Sequence, residues 1–327
     1  MGPAGGDVTA KPLGVGLLGL GTVGSAVARA FADRQKRIDA AAGRTVRLLG
    51  AAVRDPKKTR DAGGVATTAD PFAILDDPEI GLVIEVVGGH QPAFDLLLAA
   101  FERGKHVVTA NKEAVAKEWD PLHEAARLAH RELRFEAAVG GAVPVVRGIM
   151  DLGAVRPRVL RGLLNGTTTY ICSRLENGIA FADALKEAQA KGYAEADPTN
   201  DIDGFDAAYK LSILVSLLEG RHFRPEGVRR TSLSTVGATE ADAAMARGAR
   251  LRYLAVADFG DKATKCRVGP EEVAAASLEG QATGPTNVIT LETDMAERLV
   301  WSGPGAGGDA TASAILADVI AIARNIR

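Results

Sequence analysis

The stretch LGVGLLGLGTVGSAVARAFADR, residues 13–34, sets an apolar run directly before three glycines spaced G-x-G-x-x-G, then opens into a segment with helical periodicity. Few backbones satisfy that order. A strand that turns sharply into a helix needs Gly19 for the turn and Gly24 for close helix–strand packing, and Gly21 lets a pyrophosphate approach the backbone. Thr22 and Val23 complete the turn, and the helix N-terminus they open attracts phosphate charge. A glycine turn without a ligand is the plain alternative, but the strand–turn–helix setting favours a dinucleotide site.

The rest of the chain extends the same plan. Apolar runs at about 13–18, 46–53, 82–87, 106–109 and 133–138 read as strands. Amphipathic stretches of crossover length, such as QPAFDLLLAAFERG and DPLHEAARLAHREL, lie between them. The fold class expected is therefore α/β, a Rossmann-type doubly wound parallel sheet with a second α+β domain for substrate binding and dimerisation. At 327 residues the chain is long for one core. We expect a dinucleotide-binding domain over 12–145, a substrate-binding and dimerisation domain over 146–302, and a C-terminal helix over 303–327 that returns to the first domain. Residues 1–11 read as a tail.

Charge and cysteine content narrow the function. A formal net charge of -2 with no basic tract argues against nucleic acid or an anionic membrane as partner and for a small molecule. Two cysteines without CxxC spacing suit a reducing compartment. No run reaches the roughly 18 apolar residues of a membrane span, and the N-terminus lacks a signal peptide's apolar core. A cytoplasmic location is expected. The second strand ends AAVRDPKK, so Arg54 stands where an NAD-preferring fold carries an acidic residue. Arg54, with Lys57 and Lys58 behind it, suits a 2′-phosphate, although Asp55 could still serve a ribose. NADP is the expected coenzyme, with NAD also accepted.

The segment GYAEADPTNDIDGFDAAYK, residues 192–210, places Glu195, Asp197, Asp201, Asp203 and Asp206 ahead of a single lysine, Lys210. Asp206 and Lys210, four apart, share a helix face, and Asp203 reads as the N-cap. The stripe continues through Ile213, Leu214 and Leu217, so Lys210 points inward or along a rim. Spacing alone leaves two readings equally open: a proton-transfer lysine, or a snorkelling lysine with a helix-stabilising ion pair.

NGTTTYICSRLENG (165–178) followed by that acidic segment resembles homoserine dehydrogenase, as do GLGTVG, VVTANKE, EAAVGGAVP and GPGAGGDATASA. The resemblance spans residues 14 to 325. It implies interconversion of L-homoserine and L-aspartate 4-semialdehyde with NAD(P), on the route to threonine and methionine. It matches Lys210 to the lysine that donates a proton to the carbonyl oxygen, and Lys112 to a second lysine at the junction of coenzyme and substrate. Glu195 matches a glutamate at the amino-acid end, Asp201 and Asp206 match aspartates of the same site, and Tyr193, Gly166 and Thr167 match residues lining it. For the coenzyme it adds Val87, Gly88, Gly192 and Gly307. EAAVGGAVP matches a turn that holds a monovalent cation, sodium in known members, through Glu136 and the carbonyls of Val139, Gly141 and Val143; a glycine-rich hinge is the alternative. A homodimer is usual in the family.

Many members carry a further regulatory or kinase domain, and this sequence ends after its last helix. Feedback inhibition by threonine at a separate site is therefore not expected. Two rivals remain on the sequence. Aspartate-semialdehyde dehydrogenase needs a nucleophilic cysteine, for which Cys172 and Cys266 are unconvincing. An NADP-binding sensor or scaffold would be expected to lose the acidic segment or its lysine, and both are present.

Overall fold

The computed structural model describes residues 11–58 and 60–326. Apart from Lys11, the expected N-terminal tail lies outside the described residues, as does Arg327. One compact unit runs to Ala138 and resumes at Gly307; the other is Val139–Ala306.

The first unit is built on six strands, β1 (Leu13–Leu18), β2 (Val46–Ala52), β3 (Thr67–Thr68), β4 (Ile80–Glu85), β5 (His106–Thr109) and β6 (Leu133–Arg134). They pair in the order β3-β2-β1-β4-β5-β6, all parallel. This is the doubly wound order, and its direction reverses between β1 and β4, where such sheets bind ligands beyond the strands' carboxyl ends. β1 is buried along its whole length because helices cover both faces, which is why it reads as a continuous apolar run rather than an alternating one. The helices Thr22–Ala42 and Gly308–Asn325 pack together in one apolar layer, and Ala93–Glu102 contributes to the other. Arg324 Nε donates to Ala41 O at 2.6 Å, and Arg29 pairs with Asp309 at 3.2 Å, fixing both ends of the C-terminal helix.

Two strand ends differ from expectation. β4 stops at Glu85 rather than at 87, because the Glu85 carboxylate takes the Val87 and Gly88 N–H groups that would have continued the ladder. The run 133–138 gives only the two residues of β6, and Glu136–Ala138 form a 3₁₀ turn. There the Glu136 N–H donates to Asp318 Oδ2 at 2.8 Å instead of to a neighbouring strand.

The second unit holds a mixed sheet of β7 (Pro157–Leu163), β8 (Val228–Arg230), β9 (Ala249–Phe259), β10 (Thr264–Ala274), β11 (Thr286–Thr293) and β12 (Arg298–Pro304). Their order is β12-β11-β7-β9-β10-β8, antiparallel except for β8 beside β10. Helices Gly166–Leu175 and Phe205–Glu219 pack on β9. Buried Arg252 on β9 donates to Glu176 Oε1 at 2.6 Å, at the end of the first of these helices, and to the carbonyls of Glu279 and Gly280. Its charge is thus paired out of water. The first helix starts at Gly166, because the Asn165 side chain accepts the Thr168 N–H and caps it.

Candidate functional site

In the first unit the three glycines do three different jobs. Gly19 has φ +100°, and a Cβ on it would meet Val86 O at 2.8 Å. A Cβ on Gly24 would collide with Gly19 O, so that position is set by helix–strand packing. Gly21 is exposed, and nothing lies within 4 Å of where its Cβ would be. The fold therefore does not itself require glycine at 21. The first turn of the helix has no acidic residue and no side-chain cap, which leaves its N–H groups, those of Thr22 and Val23 among them, without helical acceptors. An open cradle of unsatisfied donors suits a pyrophosphate. Gly307, with φ +123°, is the N-cap of the C-terminal helix, and a Cβ on Gly308 would stand 3.1 Å from Thr22 O. The two glycine turns thus meet at the same end of the sheet.

Arg54 is exposed in the turn after β2. Asp55 Oδ1 accepts the Lys57 N–H at 2.9 Å, and Arg60 Nη1 grips the carbonyls of Asp55 and Lys58 at 2.5 and 3.0 Å. The guanidinium of Arg54 makes no hydrogen bond or ion pair among the described residues. Val87 and Gly88 form the exit from β4, and Lys112 opens the helix Lys112–Lys117, capped by Asn111 Oδ1, which accepts the Ala114 N–H at 3.1 Å.

In the second unit, Lys210 is 9% exposed and Asp206 6%. Lys210 Nζ donates to Asp206 Oδ2 at 2.8 Å and to Leu164 O at 2.7 Å. Asn165, 6% exposed, bridges Asp206 Oδ2 at 2.9 Å and Asp201 Oδ1 at 2.7 Å through its Nδ2. Asn165 lies in the NGTTTY motif but was missed as a site residue; an asparagine immediately before a helix was the available signal. The five acidic residues do not converge. Asp197 caps its own turn, accepting from Thr199 N and Oγ1 at 3.1 and 2.6 Å. Asp203 is not the N-cap of the lysine helix: Gly204, with φ +76°, occupies that place because the chain must reverse there, and Asp203 ends the short helix Thr199–Ile202. Glu195, Gly192 and Tyr193 are exposed. Their loop is held by Thr167 Oγ1, which donates to Tyr193 O at 2.6 Å, and by Gln189, which donates to Glu195 O at 3.0 Å. Gly166 packs on Pro285, and a Cβ on it would stand 3.0 Å from Pro285 Cα and Cβ, so that the proline would have to give.

The turn Val139–Val143 presents main-chain oxygen. The carbonyls of Val139 and Gly141 accept no backbone hydrogen bond outside regular helices and strands among the described residues, whereas Val143 O takes the Val145 N–H at 2.8 Å. Glu136 is buried, with its N–H on Asp318.

Two family descriptions match the chain: "Homoserine dehydrogenase, NAD binding domain" over residues 19–136 and "Homoserine dehydrogenase" over 144–320. A homoserine dehydrogenase of Pseudomonas aeruginosa is 38% identical over 316 residues, 96% of this chain and 73% of that one. The chain belongs to the homoserine dehydrogenase family. The crystal structure of a homoserine dehydrogenase from Thiobacillus denitrificans superposes with a TM-score of 0.93 at 39% identity, over 96% of this chain and 74% of that one. A hyperthermophilic archaeal homoserine dehydrogenase in complex with NADPH shares the fold, with a TM-score of 0.82 at 24% identity over 97% and 99% of the two chains. This chain is accordingly an NAD(P)-dependent oxidoreductase that interconverts L-homoserine and L-aspartate 4-semialdehyde in amino-acid biosynthesis. The thiols agree with that chemistry rather than with thioester formation. Cys172 is fully buried and burial pushes its thiol up to about 12, and burial does the same to Cys266, also to about 12.

Two predictions follow from this geometry. Gly24→Ala should cost about 1–3 kcal/mol by overpacking, whereas Gly21→Ala should leave the melting temperature close to wild type and weaken coenzyme binding. Thermal melts and coenzyme titrations on both variants separate the two roles. Because neither thiol ionises until the pH nears 12, iodoacetamide at pH 8 should neither label nor inactivate the folded enzyme; stoichiometric labelling of native protein with loss of activity would contradict this burial.

Proposed function

We propose that Lys210 passes the proton to the substrate's carbonyl oxygen when the semialdehyde is reduced, and recovers it when homoserine is oxidised. The observation that carries this reading is the double anchoring of Lys210 Nζ on Asp206 and Leu164 O. An ammonium has three donors. Two are fixed, so the third is aimed, and a positioned acid is what general acid catalysis needs. Asp206 balances the buried charge and is itself held by Asn165, which also orients Asp201. Glu195, exposed on its tethered loop, would meet the substrate ammonium, with Asp201, Tyr193, Gly166 and Thr167 lining the amino-acid end. Lys112 is the second candidate for the proton. The nicotinamide, when bound, supplies or accepts the hydride.

NADP is the coenzyme we propose, held by Gly19, Gly21, Thr22, Val23, Gly24, Val87, Gly88, Lys112, Gly192 and Gly307, with Arg54 on the 2′-phosphate. That the Arg54 guanidinium has no hydrogen-bond or ion-pair partner among the described residues supports this, as does the NADPH-bound relative. A structural monovalent cation on the carbonyls of Val139, Gly141 and Val143 with Glu136 is supported by the two carbonyls that accept no backbone hydrogen bond. We further propose a cytoplasmic homodimer, supported by two unpaired cysteines and by exposed Leu278, Met295 and Val300 on and beside β11 and β12. Among the described residues no helix is long and apolar enough to cross a membrane.

Lys210→Ala should lower kcat by about a hundredfold or more while coenzyme binding persists, with a lowered melting temperature from loss of the buried pair with Asp206 but a folded protein at the assay temperature. Glu195→Gln should act mainly by raising KM for homoserine. Steady-state kinetics with a melt on each variant checks both. A near-normal kcat in Lys210→Ala would move the proton to Lys112 or to water.

Arg54→Ala should weaken NADP+ about ten- to a hundredfold, the worth of a charge-assisted phosphate contact, with little change for NAD+. Titration of both coenzymes reads this, and equal losses on the two would reject the assignment.

A further inference from the structure

Glu85 ends β4 at the place where the sheet order reverses, with its backbone in register with Leu18 of β1 and Thr109 of β5. It is 0% exposed, and among the described residues no cation is one of its hydrogen-bond partners. An isolated buried carboxylate is costly, so something must satisfy it. Oε1 accepts the N–H groups of Val87 at 2.7 Å and Gly88 at 3.3 Å, and Oε2 accepts the Thr109 hydroxyl at 2.5 Å. Thr109 Oγ1 in turn accepts the Asn111 N–H at 3.0 Å. Asn111 Nδ2 reaches back to Gly89 O at 2.7 Å, and Asn111 Oδ1 caps the helix that begins at Lys112.

These bonds form a closed ring: Glu85 to the Val87–Gly89 turn, the turn to Asn111, Asn111 to Thr109, and Thr109 back to Glu85. The turn needs such support. Gly88 and Gly89 have φ of +79° and +74°, and no strand ladder holds either of them. Burial raises the Glu85 pKa, and the hydrogen bonds from Thr109, Val87, Gly88 and Asn111 work against that rise. Burial is the larger influence and the pKa stays raised, so the groups that Glu85 orders offset only part of its cost.

We infer that Glu85 is a positioning residue for the coenzyme site, acting through this ring to fix the Val87–Gly88 turn and the start of the Lys112 helix together. The inference rests on the reading that Val87, Gly88 and Lys112 contact the coenzyme. A glutamine at 85 can keep one oxygen on the Val87 and Gly88 amides, but its NH₂ would then face the Thr109 hydroxyl and leave that hydroxyl's proton without an acceptor. Valine at 109 keeps the shape and removes the hydroxyl link; serine keeps the link.

The test is NADPH affinity, by fluorescence titration, together with a melt for Glu85→Gln, Thr109→Val, Thr109→Ser and, as a probe of the site itself, Lys112→Ala. Glu85→Gln and Thr109→Val should each weaken NADPH about tenfold, as loss of one ordering hydrogen bond predicts, with Thr109→Ser near wild type and KM for homoserine unchanged at saturating coenzyme. Should Glu85→Gln not fold, the Thr109 pair carries the comparison. Lowered melting temperatures with wild-type NADPH affinity in Glu85→Gln and Thr109→Val, while Lys112→Ala binds weakly, would make the ring merely structural and overturn the proposal. If Lys112→Ala also bound NADPH normally, the reading of the coenzyme site would fall first and the proposal with it.

Discussion

The first unit depends on one close approach. Gly19 O lies where a Cβ on residue 24 would have to be, and Val86 O lies against Gly19 itself. This lets the helix Thr22–Ala42 leave β1 with almost no spacing and brings the exit of β4 alongside the glycine turn, tied by the Val86 N–H to Leu18 O at 2.8 Å. The C-terminal helix then closes in from the other side, with Gly308 against Thr22. Three chain segments far apart in sequence meet at the carboxyl ends of β1 and β4, where Gly19 and Gly24 leave the room that a Cβ would take and Gly308 lies close against Thr22 O. Over Gly21 nothing lies within 4 Å of where a Cβ would be, so packing does not select the residue there.

The second unit solves a different problem. An ammonium as buried as that of Lys210 costs several kcal/mol unless it is paired and hydrogen-bonded. Asp206, one helical turn earlier, supplies the charge, and Leu164 O supplies a second acceptor from the end of β7. Asp206 is then itself a buried carboxylate and needs more than one partner, which Asn165 provides while capping the next helix. The chain of requirements runs from lysine to aspartate to asparagine, and it fixes where strand β7 ends and two helices begin.

The sequence showed the sheet because a parallel strand buried on both faces must be apolar throughout, and it showed Gly19 and Gly24 because a Cβ at either would meet backbone. It showed the Asp206–Lys210 pair because helical spacing is a local property. It did not show where strands stop, since β4 ends by a side chain capturing its own following amides and β6 by a main-chain bond to Asp318, 182 residues away. Nor did it show which acidic residues act together. Asp203 and Asp206 look alike in sequence, but the left-handed backbone at Gly204 turns the chain between them, so that only Asp206 reaches the lysine. Asn165 and Glu85 carry no local pattern of this kind, because Glu85 binds backbone groups that have no letter in the sequence and Asn165 binds the side chains of Asp201 and Asp206, 36 and 41 residues away.

Lys210 and Glu85 are the same device with the charge reversed. In each, an ionisable group is withdrawn from water, bound to main-chain atoms just past the end of a strand, and linked through one more polar side chain, Asp206 or Thr109, to an asparagine that caps a helix: Asn165 in one unit, Asn111 in the other. Main-chain atoms at strand ends are the polar groups whose positions the sheet already fixes. A charge that binds them inherits the rigidity of the core without adding flexible side chains, and the capping asparagine extends that rigidity to the first turn of the next helix. Lysine suits the place where a donor must face a ligand, because three protons leave one to spare. Glutamate suits the place where a loop must be gathered, because a carboxylate only accepts, and the Val87 and Gly88 N–H groups point to it from the turn.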